Sequence, residues 1–201
     1  MSHNSTQLAA LVGSRLCHDL ISPVGAIQNG LELMQMSRVN PEAPEFKLVE
    51  DSCSHAIARI RYFRVAFGHA GENQQIGAQE IARMCNNYVQ GSRLRIECNI
   101  EGDHDRPTVQ LALLLVLCCE TALPMGGEIR LSQEGLVWET TVSGPKLSPD
   151  PVLWRVLTHG GPIDTASPAR VQFFLLRALC EDMGRKLEIM RDDEFLTVRI
   201  S

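Results

Sequence analysis

The sequence predicts an α + α/β chain: an N-terminal helical hairpin that pairs with a second copy into a dimeric four-helix bundle, then an α/β sandwich. Three observations carry this reading. Two helix-length segments near the N-terminus each hold an apolar stripe at helical spacing, and only a proline-bearing turn separates them. A polar, glycine-rich stretch from Gly68 to Gly77 marks a change of composition. Beyond it, short alternating apolar runs interleave with helical ones in the order α-β-α-β-β-α-α-β-β, the pattern of a mixed sheet covered on one face by helices. The expected boundaries are residues 1–70 for the hairpin and 77–201 for the sandwich.

Residues 5–37 read as one helix, with a weak capping signal in Asn4 and Gln7. At ~100° per residue, Leu16, Leu20, Val24, Ile27, Leu31 and Met34 fall within an arc of about 80°. His18, Ser22, Gly25 and Asn29 cluster on the opposite side, and Leu11 and Ser14 share that face. His18 is therefore expected to face solvent or a partner. Gly13, Gly25 and Gly30 each cost the helix ~1 kcal/mol relative to Ala. Gly25, two turns from His18, leaves room for a close approach. Residues 37–44, with Pro41 and Pro44, form a turn. In the second helix, 44–69, Phe46, Val49, Cys53, Ala56, Ile60, Phe63 and Phe67 keep a 3-4 spacing, a coiled-coil-like seam. A lone hairpin cannot bury two such stripes, whereas two hairpins can, which predicts a homodimer.

In the sandwich, helices are expected at 78–89, from Pro107 through 109–123, at 151–157 and at 169–183, with Gly184 as the C-terminal cap. Strands are expected at 93–100, 128–131, 136–142, 186–190 and 195–200. The second and third of these form a hairpin across residues 133–135, and the last two another across 191–194.

Composition narrows the function. The formal charge is −5, and residues 1–70 carry six basic and six acidic side chains, so the negative excess lies wholly in 71–201. That argues against nucleic-acid binding. No apolar run reaches the ~18 residues of a membrane helix. The first seven residues lack the basic and apolar regions of a secretory signal. Seven cysteines without a Cys-x-x-Cys pair suit reduced thiols in the cytoplasm.

The chemistry concentrates in Arg15-Leu-Cys-His18-Asp19-Leu-Ile-Ser22-Pro23-Val-Gly25. A proline inside a helix costs ~3 kcal/mol or more, so its presence calls for a reason. Histidine titrates near neutrality and offers a neutral ring nitrogen as nucleophile. Asp19 is placed to accept a hydrogen bond from the ring or to act as its base. Ser22, one turn on, is placed to donate to a phosphoryl oxygen, and Arg15, one turn back, to neutralise its charge. Pro23 leaves the Asp19 carbonyl without its helical donor and loosens the helix there. Phosphoryl transfer needs little beyond positioning and electrostatics, so this sparse exposed set suffices. Arg15 and Asp19 are both expected to be helix-surface residues whose replacement leaves the fold intact.

His-Asp-Leu-Ile-Ser-Pro-Val resembles the H-box of sensor histidine kinases, including the spacing of acid, hydroxyl and proline. The hairpin resembles their dimerisation and phosphotransfer domain, and the order of elements in 77–201 resembles their ATP-binding domain. That family's nucleotide elements are absent at the corresponding positions. Leu117 and Thr121 stand where its Mg²⁺-binding Asn is expected, and Ser143 where its adenine-reading Asp is expected. The segment before the helix at 169, Thr165-Ala-Ser-Pro168-Ala, has no glycine for a phosphate loop. A kinase-like hairpin followed by a degenerate ATPase-like domain is similar to the histidine phosphotransferases of alphaproteobacteria. That resemblance implies a relay. His18 takes phosphate from the receiver of a CckA-like hybrid kinase and passes it to CtrA-like and CpdR-like response regulators. It implies no cofactor in this chain, with Mg²⁺ on the partner's receiver. Two alternatives stand beside it: an ATP-dependent kinase core with an atypical nucleotide site, and a non-enzymatic scaffold that docks receivers.

The other chemistry-bearing residues read as structural. His55 and His69 lack the acid and hydroxyl that surround His18. Arg59, Arg61 and Arg64 form a solvated basic face. Asp103-His104-Asp105 is a polar turn without further metal ligands. Trp138 and Trp154 belong to the core or to a domain interface.

Overall fold

Helix α4 (Arg106–Glu120) lies at the centre of the molecule. From Val109 to Cys119 it is apolar apart from Gln110, and every one of those side chains is buried. A helix apolar all round must be covered all round. This computed structural model describes residues 3–36, 44–68, 74–163, 166–192 and 194–201. The expected turn after the first helix, His69 and Thr165 lie outside them.

A five-stranded sheet covers one side of α4. Its order is β2 (Leu94–Asn99), β4 (Gly127–Glu134), β5 (Val137–Ser143), β7 (Phe195–Ile200), β6 (Leu187–Arg191). Only the β2–β4 pair is parallel, as expected of a mixed sheet. Ile129 and Leu131, then Trp138, Thr140 and Val142, then Leu196, Val198 and Ile200 alternate into the core, the period-2 pattern of a sheet with one buried face. Outward-facing Arg130 pairs instead with Glu97 and Glu128. Helices α3 (Ala78–Val89), α5 (Pro151–His159) and α6 (Val171–Asp182) complete the helical layer. Asp150 caps α5 by accepting from the Val152 and Leu153 amides. Gly184, at φ 64°, closes α6 as expected.

One expectation needs correcting. The polar segments read as linker and turn contain a small antiparallel ladder, β1 (Gln75–Gly77) with β3 (Asp103–Asp105), which sets Ile76 opposite His104. Tertiary contacts account for it. Ile76 is buried in the core, and the His104 ring sits 5.1 Å from the Trp138 ring.

The hairpin helices α1 (His3–Met36) and α2 (Pro44–Ala66) pack along each other, and α1 runs through Pro23 without a break. The C-terminal end of α2 is sewn to α4. The last carbonyls of a helix have no partner within it. Here Arg106 donates to the Arg64 carbonyl at 2.8 Å, and the Gln110 amide donates to the carbonyls of Ala66 and Gly68 at 3.1 and 3.0 Å. The buried Tyr62 hydroxyl donates to the Leu113 carbonyl at 2.9 Å. Tyr62, Phe63, Val65 and Ala66 thus join the same apolar core as α4 and the sheet. Further along the hairpin, apolar side chains on and beside the stripes stay open: Val24 is 55% exposed, Leu31 47%, and Ile57 and Ile60 49% each.

Candidate functional site

The segment of α1 that carries the H-box sequence lies against three other elements. Arg15 and Asp19 are one turn apart, the spacing at which oppositely charged helix residues meet. Their side chains pair, Nε to Oδ2, at 2.8 Å, with only 15% and 8% of their areas exposed. Arg15 also donates from Nη1 to the Ala169 carbonyl at 2.6 Å. Ala169 belongs to the 3₁₀ turn Pro168–Arg170 that leads into α6. Arg59 of α2 comes to 4.0 Å from the same Asp19 oxygen.

Arg59 is held in turn. Its guanidinium lies over the Tyr88 ring of α3, 5.4 Å from the centroid, a cation–π distance. Tyr88 stacks on Tyr62 at 4.3 Å and donates its hydroxyl to Oε2 of Glu120, at the end of α4, at 2.8 Å. Glu120 therefore shares its surroundings with two arginines and a second carboxylate. Burial pushes its carboxyl pKa above the usual glutamate range. The Tyr88 hydrogen bond, Arg59 and Arg15 pull it back, and Asp19 adds to the rise. Burial likewise raises the Tyr88 phenol well above its ordinary value.

The other residues singled out from the sequence fall as follows. Ser22, Ser14 and Asn29 are exposed, and Leu11 and Gly25 half-buried. A methyl group at Gly25 would meet no atom within 4 Å, so the helix surface is open there. His18 lies in α1 immediately before Asp19; the expected direction of its side chain falls outside the described residues. The reading of Arg15 and Asp19 as plain surface residues is corrected. A one-helix wheel leaves out α2 and the turn before α6, which cover both. Arg59, read as part of a solvated face, is half-buried over Tyr88. Sequence spacing points to neither Tyr88 nor Glu120. The one local signal is Glu120 itself, an acid that closes a run apolar from Leu111 to Cys119.

The residues compared above with the kinases' nucleotide-binding elements fall as follows. Leu117 is packed in the core, 1% exposed. Thr121 donates its hydroxyl to the Cys118 carbonyl at 2.7 Å, and Ser143 sits in register between Glu128 and Phe195. Pro168, at the head of its 3₁₀ turn, offers no amide hydrogen. Among the described residues no three His, Cys, Asp or Glu side chains gather as a metal site would require. None of the helices is long and apolar enough to cross a membrane, again among the described residues.

Comparison with known proteins places the chain in a family. Residues 78–195 match the family described as histidine phosphotransferase C-terminal domain. The chain is 31% identical over 194 residues to protein phosphotransferase ChpT of Brucella abortus (strain 2308), covering 92% of this chain and 91% of that protein. Its fold superposes on a solved bacterial phosphotransferase with a TM-score of 0.85 at 27% identity, over 100% of this chain and 98% of the other. It shares its fold, at a TM-score of 0.51 and 14% identity, with the histidine kinase ThkA, solved in complex with the response regulator protein TrrA; the match spans 98% of this chain and 63% of the kinase chain. The chain belongs to the histidine phosphotransferase family, as a ChpT-like phosphotransferase of two-component phosphorelays.

Proposed function

We propose that His18 is the phosphoacceptor of a multistep relay. It takes a phosphoryl group from the receiver aspartate of a CckA-like hybrid kinase and gives it to the receiver aspartates of CtrA-like and CpdR-like response regulators. The observation that carries this reading is the pairing of Asp19, next in sequence to His18, with Arg15 and Arg59. A fixed carboxylate beside a histidine is what a nucleophilic imidazole needs to hold one tautomer.

In the accepting step the neutral ring nitrogen attacks phosphorus. The N–P bond forms as the acyl-phosphate P–O bond breaks, and the receiver carboxylate leaves with the electron pair. Asp19 holds or takes the proton of the other ring nitrogen. Exposed Ser22 is suited to meet a phosphoryl oxygen. Arg15 contributes by holding Asp19. Leu11, Ser14, Gly25 and Asn29 form the docking face, with the open surface at Gly25 admitting the partner. No cofactor is assigned to this chain, and the Mg²⁺ of receiver chemistry belongs to the partner.

We further infer two working units in one cytoplasmic chain, 1–70 for dimerisation and phosphotransfer and 77–201 as a degenerate ATPase-like domain. The exposed Val24, Leu31, Ile57 and Ile60, and an apolar hollow of about 250 Å³ lined by Leu16, Leu20, Ile60, Phe63 and Phe67, support a second copy completing a four-helix bundle. The test is to supply phosphate from two sources. Label is expected to enter the protein from a phosphorylated receiver and not from Mg²⁺-ATP. Labelling by ATP alone would make it a kinase, and labelling by neither would leave a docking scaffold.

A further inference from the structure

We propose that Arg59, Tyr88 and Glu120 are positioning residues for the chemistry at His18, fixing the charge and place of the Asp19 carboxylate through contacts that run from α4 to α1. The proposal rests on His18 being the phosphoacceptor. It gives the α/β half of the molecule a part in the transfer step beyond bracing the hairpin.

The contacts form a directed chain. Asp19 is nearly enclosed, so its carboxylate sits where the surrounding cations put it. One of them, Arg15, is bound along its own helix and to the Ala169 carbonyl. The other, Arg59, comes from α2 and lies on the face of Tyr88. A guanidinium lying on a ring keeps its nitrogen edge free for a carboxylate. Tyr88 is itself pinned on both sides, by its stack on Tyr62 and by its hydroxyl on Glu120. Among the described residues, the groups that act on Glu120 are Tyr88 from α3, Arg59 from α2, and Arg15 and Asp19 from α1. Among the described residues the cluster holds two arginines and two carboxylates, whose charges balance when both acids are ionised. Removing the Glu120 charge leaves both arginines to Asp19, which draws that carboxylate toward them and away from its sequence neighbour.

Stability alone does not account for an acid at this place. A poorly solvated carboxylate costs free energy, and a neutral side chain of the same shape would accept the Tyr88 hydroxyl equally well. Ionisable groups retained at such a cost gather at functional sites.

The test is single-turnover transfer from a phosphorylated receiver to the full-length chain over a range of receiver concentrations, which separates the maximal rate from the half-saturating concentration. Glu120→Gln and Tyr88→Phe each keep the packing and lose one link. Both are expected to lower the maximal rate about tenfold, less than the ~10²-fold that a full 1 Å misplacement can cost, with half-saturation unchanged. Arg59→Lys is expected to recover part of the rate lost in Arg59→Met. Thermal melts identify variants that fold; Tyr88→Phe keeps the question open to refutation if Glu120→Gln does not. Wild-type maximal rates in folded variants would overturn the proposal. So would a change confined to half-saturation, or no advantage of Lys over Met. A wild-type chain that takes no phosphoryl group, or a His18→Ala chain that takes it, refutes the phosphoacceptor reading itself, a result distinct from any of these.

Discussion

Asp19 and Arg15 meet at 2.8 Å on one face of α1, and that face is closed over by α2 and by the turn before α6. The acid beside the proposed phosphoacceptor is thus part of a tertiary contact between the hairpin and the α/β layer. Removing either partner leaves the other charge poorly solvated. Asp19→Asn and Arg15→Ala are each expected to lower unfolding free energy by about 1–3 kcal/mol, with a coupling of at least ~0.5 kcal/mol in the double mutant cycle. Urea denaturation measures both. Stabilities equal to wild type would return these residues to the open helix surface.

Glu120 gives a pH signature. Its pKa in the folded chain lies above the ordinary 4.5, so the folded state binds the proton more tightly than the unfolded one. Unfolding then releases protons, and this group's contribution to stability falls as pH rises from about 4.5 through the folded pKa. Glu120→Gln, which keeps an acceptor for Tyr88, should match or exceed wild-type stability at neutral pH. Its advantage should vanish in acid, where both forms are neutral. A variant markedly less stable at pH 7 would contradict this.

The open hairpin stripe predicts oligomeric state. The wild-type chain is expected to sediment as a dimer at micromolar concentration, and Ile60→Glu, at a 49% exposed position, as a folded monomer. A monomeric wild-type chain would remove the support for the bundle.

Thiol chemistry reports on the α4 core. Burial pushes Cys119 up to about 12 and Cys180 up to about 11, and raises Cys118 well above its ordinary value. The thiolate is the reactive form. All three should therefore resist alkylation at pH 8 in the native protein and react fully in denaturant. Rapid native labelling of Cys118 or Cys119 would mean that α4 is not enclosed as described.

Much of this fold is legible in the sequence because local pattern and final structure agree. Leu94, Ile96, Cys98 and Ile100 alternate, and a strand lies there; the unbroken apolar run after Pro107 is the wholly buried α4. The β1–β3 ladder is not legible. Gln-Ile-Gly and Asp-His-Asp have no period, and only their meeting across the fold makes them strands. The candidate site divides the same way. His18, Asp19, Ser22 and Pro23 announce themselves by spacing within one helix, and the i,i+4 rule foreshadows the Arg15–Asp19 pair. Arg59, Tyr88 and Glu120 approach that helix from three others, and no local window contains them together.

The most direct test of the central claim is transfer of labelled phosphate from a phosphorylated receiver domain to the wild-type chain and to His18→Ala. The wild-type protein is expected to acquire an acid-labile, base-stable label as the receiver loses it, with His18→Ala acquiring none. Equal labelling of the His18→Ala protein would contradict the assignment.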